Sequence, residues 1–172
     1  MKQVWIGMLL GLLCATAQAQ APLSAPGPMP TGGIAGIERL REPAHSLDAA
    51  AIRALPQRAW TASAAPTQLA GAVDGRGWWR LHPQPGGADR VLLVYHPYSA
   101  RVTVLAPPDY QVQHASIFDP RLDPAHSRRA LVFALRGDGP VYIGVDHLRY
   151  PLQIAVRAGA DYAVEDHAHS RV

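Results

Sequence analysis

Residues 129–157 read RALVFAL-RGDGP-VYIGVDH-LRYP-LQIAVR, and this stretch decides the fold. Arg129 to Leu135 is an apolar strand candidate. Arg136-Gly137-Asp138-Gly139-Pro140 supplies the turn residues that follow it. Val141 to His147 alternates, with Val141, Ile143 and Val145 on one face and Tyr142 and Asp146 on the other. Leu148-Arg149-Tyr150-Pro151 turns the chain, and Leu152 to Arg157 alternates again with Gln153 and Arg157 outward. The Arg-Gly-Asp tripeptide at 136–138 is explained by the turn and carries no adhesive reading.

Working outward, the same period of two begins near residue 68. Gly77 to His82 is a strand candidate ended by Pro83. Arg90 to His96 holds the run Val91-Leu92-Leu93-Val94, which fits a strand buried on both faces. Arg101 to Ala106 stops at Pro107-Pro108, and Tyr110 to His114 is a short polar strand. Residues 119–127 contain two prolines and read as a loop. Short strands with frequent turns predict an antiparallel β-sandwich or barrel. No helical segment long enough for crossovers separates them, so a parallel α/β sheet is excluded. Ahead of the strands, Ser46 to Pro56 predicts one short helix, with Ser46 as cap, Asp48 in the first turn and Ile52 and Leu55 on one face.

The N-terminus has a different logic. Lys2 precedes the uncharged run Val4–Ala17, and Ala17-Gln18-Ala19 fits a small-x-small cleavage site. The run is shorter than the roughly 20 apolar residues of a spanning helix. Residues 1–19 are therefore expected to be an export signal, with no membrane span after cleavage. Leu13 stands where a lipobox before Cys14 would carry a small residue, so lipidation is not expected. Residues 20–43 are rich in proline and glycine and carry no charge before Glu38; they read as a leader outside the core. The sandwich is expected over 44–162 and a disordered tail over 163–172.

Composition narrows the function. Among 172 residues, 48% are hydrophobic and 17% charged, which excludes a chain disordered throughout. Sixteen basic residues against thirteen acidic ones give a net charge of +3. Lys2 is the only lysine, and the arginines are scattered rather than gathered into the stripe a nucleic-acid partner needs. The single cysteine lies in the signal, so no disulfide or thiol chemistry is expected in the mature chain. No nucleophile elbow, phosphate loop or dinucleotide fingerprint occurs. Neither a catalytic set nor a cofactor is expected. Eight histidines raise a metal reading, best at His167 and His169, but these fall in the last residues and read as a solvated tail.

The candidate binding residues follow from strand parity. Trp78 and Trp79 must point to opposite faces, so one enters the core while the other packs at an edge or stacks on a ligand such as a sugar. Arg80 shares the face of Trp78; its partner is a carboxylate of the domain or an anionic ligand group. Tyr142, Asp146 and Gln153 are the outward residues of two successive strands and could line a shallow ligand surface or simply be solvated.

From the short helix to Tyr162 the chain resembles a bacterial module. The matching residues are Trp60, Gly77-Trp78-Trp79-Arg80-Leu81, Val102-Thr103-Val104-Leu105-Ala106-Pro107-Pro108-Asp109, Arg128 to Leu135, Val141 to Val145, Leu152 to Val156 and Asp161-Tyr162. They resemble the type-2 extracellular sensing domain of seven-transmembrane receptors with diverse intracellular signalling modules. That resemblance implies a jelly-roll sandwich similar to carbohydrate-binding modules. It also implies a periplasmic sensory role with a small molecule, including glycans, as ligand. In that family the domain feeds a membrane region and an output domain, neither of which these residues supply. The expectation is thus a sensing domain that acts with a separate membrane receptor or forms the end of a longer one. The alternative is a protein-interaction module of the cell envelope, with the edge near Tyr110–His114 as its contact. A glycan hydrolase is the third reading.

Overall fold

The computed structural model describes residues 33–41, 47–71, 75–86, 89–95, 101–116 and 130–162. The expected signal, most of the expected leader, Ser46, the 119–127 loop and the histidine tail lie outside these residues. The described residues include ten strands: β1 (Ile34–Leu40), β2 (Trp60–Ala62), β3 (Gln68–Leu69), β4 (Arg76–Pro83), β5 (Arg90–Tyr95), β6 (Val102–Leu105), β7 (Val112–Ala115), β8 (Ala130–Leu135), β9 (Val141–Asp146) and β10 (Leu152–Ala158). One short helix, α1 (Ala49–Ala54), and a 3-10 turn (Gln57–Ala59) precede β2.

The strands make two antiparallel sheets. One has six strands in the order β2-β1-β4-β9-β6-β7, and the other has four in the order β3-β10-β5-β8. The pairings β3·β10, β4·β9, β5·β8 and β6·β7 are nested, so β3 to β10 form one long hairpin whose tip is the β6–β7 turn. Wrapping that hairpin on itself adds the contacts β10·β5 and β6·β9. This is the winding of a jelly roll, and the molecule is an all-β sandwich as the strand spacing predicts.

Alternation decides what lies between the sheets. Trp79 and Leu81 of β4, Val102 and Val104 of β6, and Val141, Ile143 and Val145 of β9 point inward from the larger sheet. Leu92 and Val94 of β5, Leu131, Phe133 and Leu135 of β8, and Ile154 and Val156 of β10 meet them from the smaller one. Each fully buried side chain of this kind contributes about 1.5–3 kcal/mol over an exposed one. On β5 the neighbouring Leu93 is also buried, so the run Val91–Val94 is covered on both faces as its composition indicates.

Two expectations are corrected. The leader does not extend to residue 43, and the sandwich does not start at 44: Ile34 to Leu40 is a strand held between β2 and β4. Ile34 and Ile37 both enter the inter-sheet core although three apart, because the register shifts between Ile34 and Gly36. A bulge of this kind hides the period of two from a pattern search. The helix cap is Asp48 rather than Ser46; its Oδ1 accepts the Ala51 N–H at 2.8 Å.

A chain beginning at residue 44 therefore lacks a strand that covers one side of β4. It is expected to give no cooperative urea transition by circular dichroism, whereas a chain beginning at residue 20 unfolds in one step.

Candidate functional site

The outer face of the six-stranded sheet is not bare. Trp78 of β4, Leu40 of β1, Tyr142 of β9 and Leu105 of β6 form a second apolar cluster there, together with Trp60 and Ile52. A strap of residues 47–59 lies over it. Asp48 caps α1, three alanines start it, and Pro56 disfavours helix at Leu55, which turns extended. Ile52 is fully buried, and Leu47, Ala49, Leu55 and Ala59 pack beside it. The 3-10 turn then delivers Trp60 to the sheet.

At one margin of this cluster sits a polar network. Glu38 and Arg80 are cross-strand partners on β1 and β4. Glu38 Oε2 accepts from Arg80 Nε at 2.7 Å and lies 2.6 Å from Arg80 Nη2. Gln57 of the turn closes the ring: its Nε2 donates to Glu38 Oε1 at 2.7 Å, and its Oε1 accepts from Arg80 Nη2 at 2.5 Å. The Arg80 guanidinium also lies over the Trp60 ring, 4.8 Å from its centroid. His82, two residues further along β4, places Nε2 2.8 Å from Glu38 Oε2. Burial pushes the Glu38 carboxyl up, but hydrogen bonds with His82, Arg80 and Gln57 and the Arg80 charge outweigh it. The group is held below the ordinary glutamate range.

The aromatic part continues beneath the strap. Trp60 and Tyr142 meet at 5.9 Å between centroids and 51° between planes, and Tyr110 and Tyr142 at 6.1 Å and 56°. Arg53 of α1 stacks on Tyr110 at 4.1 Å. Burial, with Tyr142 close by, raises the Tyr110 hydroxyl above its usual range despite Arg53. Trp78 lies flat across Gly144, where a Cβ would come within 3.0 Å of the indole. The Nε1 donors of Trp60 and Trp78 are both buried and have no hydrogen-bond partner. An orphan of this kind costs about 1–3 kcal/mol.

Four of the five expected site residues share this face. Trp78 and Tyr142 are 3% and 6% exposed, under the strap rather than open to solvent, and Trp79 is the inter-sheet tryptophan. Arg80 finds its carboxylate within the domain, in Glu38. Asp146 accepts from Arg76 through two bonds, at 2.5 and 3.0 Å. That pairing, aided by Arg101 and His147, holds the Asp146 carboxyl low against its burial, and it raises Arg76 in turn.

Gln153 is the exception. It faces outward from β10, in the other sheet, so Tyr142 and Asp146 look out from one side of the sandwich and Gln153 and Arg157 from the opposite side. A single surface lined by both strands is thereby ruled out. Parity within a strand reveals its faces, but not which sheet the strand joins.

Sequence reasoning missed Glu38, Gln57 and His82. The parity of Trp78 and Arg80 extends to His82 and could have found it; Glu38 was hidden by the bulge. Among the described residues no group of three or more histidine, cysteine or acidic side chains is placed to hold a metal. Comparison of the chain with protein-family models, curated proteins and solved structures gives no match.

Because Glu38 and Asp146 are depressed in the folded state, the stability they contribute is complete above their unfolded values of about 4.3 and 3.9. It is lost as pH falls through their lower folded values. Urea midpoints measured from pH 7 to pH 2 should fall below about pH 4.3 in the wild type, and by less in the Glu38→Gln, Asp146→Asn double variant. Gly144→Ala forces the Trp78 ring to shift and is expected to cost about 1–3 kcal/mol in urea unfolding, with a changed near-ultraviolet tryptophan signal.

Proposed function

We propose that the protein is an exported, non-catalytic β-sandwich that recognises a small ligand in the periplasm. The ligand face is the outer surface of the six-stranded sheet. One observation carries this reading: two buried indole donors, on Trp60 and Trp78, lack acceptors beside a polar network that reaches solvent at Gln57 and His82. Buried donors without acceptors are uncommon in native proteins and call for an explanation. A ligand rich in oxygen acceptors supplies one. The export-type N-terminus supports the location, and the resemblance to bacterial extracellular sensing domains supports a sensory role that includes glycan-like ligands and a membrane receptor as partner.

A second reading rests on a different feature. Strand β7 stands at the edge of its sheet, and Val112 on it is 50% exposed. An edge strand of this kind suits strand addition by an envelope protein. Pull-down from envelope extract, repeated with Val112→Lys, separates the two readings: loss of a partner on that substitution favours the interaction module.

The ligand reading is tested by thermal shift against periplasmic sugars, amino-acid derivatives and cell-wall fragments. A true ligand at 100 times its Kd adds about 2.7 kcal/mol, and Trp78→Ala should abolish that gain. A broad millimolar panel that leaves Tm unmoved overturns the reading.

A further inference from the structure

On this face the Glu38–Arg80 pair holds a partner, Gln57, that is itself exposed to solvent. The two side chains are placed by directly opposed positions on β1 and β4, and Arg80 Nε secures Glu38 Oε2 without help from the strap. His82 also meets Glu38 Oε2, while Glu38 Oε1 and Arg80 Nη2 both turn to the carboxamide of Gln57. Gln57 itself comes from a turn of three residues. Its side chain can leave while the pair stays in place.

The chemistry of the pair limits what can take its place. An ionised carboxylate only accepts hydrogen bonds and a guanidinium only donates them. This fixes the orientation of the Gln57 amide, with nitrogen on Glu38 and oxygen on Arg80. A replacement must therefore offer a donor and an acceptor side by side. A carboxylate would meet Glu38 with a like charge, and an ammonium would meet Arg80 in the same way. A lone hydroxyl reaches one partner well but not both. A primary carboxamide reaches both through the edge that carries its oxygen and the N–H beside it, whereas a trans secondary amide points its N–H and C=O in opposite directions. The Trp60 ring, already under the Arg80 guanidinium, flanks the position with an apolar face, and its Nε1 donor is still unsatisfied.

We propose that Glu38 and Arg80 form a receptor for a primary carboxamide group of the ligand, and that Gln57 occupies it in the free protein as an internal stand-in. This deepens the ligand-recognition reading and rests on it. Small free amides and the carboxamide side chains of peptides both present such an edge, so the test includes each.

The experiment follows the indole N–H signals of Trp60 and Trp78 by NMR, assigned with Trp→Phe variants. The probes are acetamide and N-acetyl-glutamine methylamide, with glucose and acetate as controls. Gln57→Ala, at an exposed position, removes the stand-in. Both indole signals should move with at least one amide probe, and which probe does so tells a small free amide from a peptide side chain. In Gln57→Ala the affinity should rise about tenfold, as for a site freed from a competitor that fills it about nine-tenths of the time. Glucose and acetate should leave the signals unmoved. Glucose binding as tightly as the amide probes overturns the amide receptor while leaving ligand recognition standing. Amide binding that Gln57→Ala does not tighten overturns the stand-in role of Gln57. If neither amide probe moves either signal, the amide receptor is overturned, and ligand recognition is then judged by the thermal-shift panel alone.

Discussion

Strand β4 is buried on both faces, and most of the structure follows from that. Adjacent tryptophans cannot share a face of a strand. Trp79 therefore commits one side of β4 to the inter-sheet core, and Trp78 commits the other to a second apolar cluster. A sheet with two apolar faces needs two covers. The four-stranded sheet is one, and the strap with α1 is the other. Arg80, set between the tryptophan face and the strap, then needs a carboxylate, which β1 brings to it in Glu38. Packing on one strand thus requires a strand, a helix and an ion pair elsewhere.

The strap is held by few and dissimilar contacts. Ile52 anchors it by apolar burial, Arg53 by stacking on Tyr110, and Gln57 by two hydrogen bonds. A six-residue helix has little stability of its own. Its position depends on what lies beneath, so the aromatic cluster and the polar network set the strap rather than the reverse. A buried ion pair adds little net stability over apolar packing, but it is costly to break on one side. Glu38 and Arg80 accordingly matter more for which geometry forms than for how firmly it is held.

Much of this could be read from residues. The alternation at Val141–Asp146 and Leu152–Arg157 gave strands with the right faces, and Val91–Val94 gave a strand covered twice. The short helix before Pro56 was visible through Ile52 and Leu55. What escaped was non-local or irregular. The bulge near Gly36 broke the period of β1 and moved Glu38 out of view. The choice of sheet for β9 and β10 depends on long-range pairing, so Gln153 was grouped with Tyr142 although they lie on opposite sides. The covering of Trp78 was invisible too, because nothing local to β4 reports that residues 47–59 return to it.

The nested winding has a consequence in time. β3 pairs with β10 and β4 with β9, so the earliest strands of the wound hairpin wait for the latest. A chain emerging from its N-terminus cannot complete the six-stranded sheet until Val141–Asp146 has appeared, nor the four-stranded one until Leu152–Ala158 follows. Pairings so distant in sequence fold slowly, in milliseconds to seconds. During that interval Trp78 and Trp79 lack the β9 neighbour, and Trp79 also lacks the complete facing sheet, so apolar surface stays exposed on the nascent chain. The delay also keeps the polypeptide threadable, a useful property for a chain whose first residues read as an export signal.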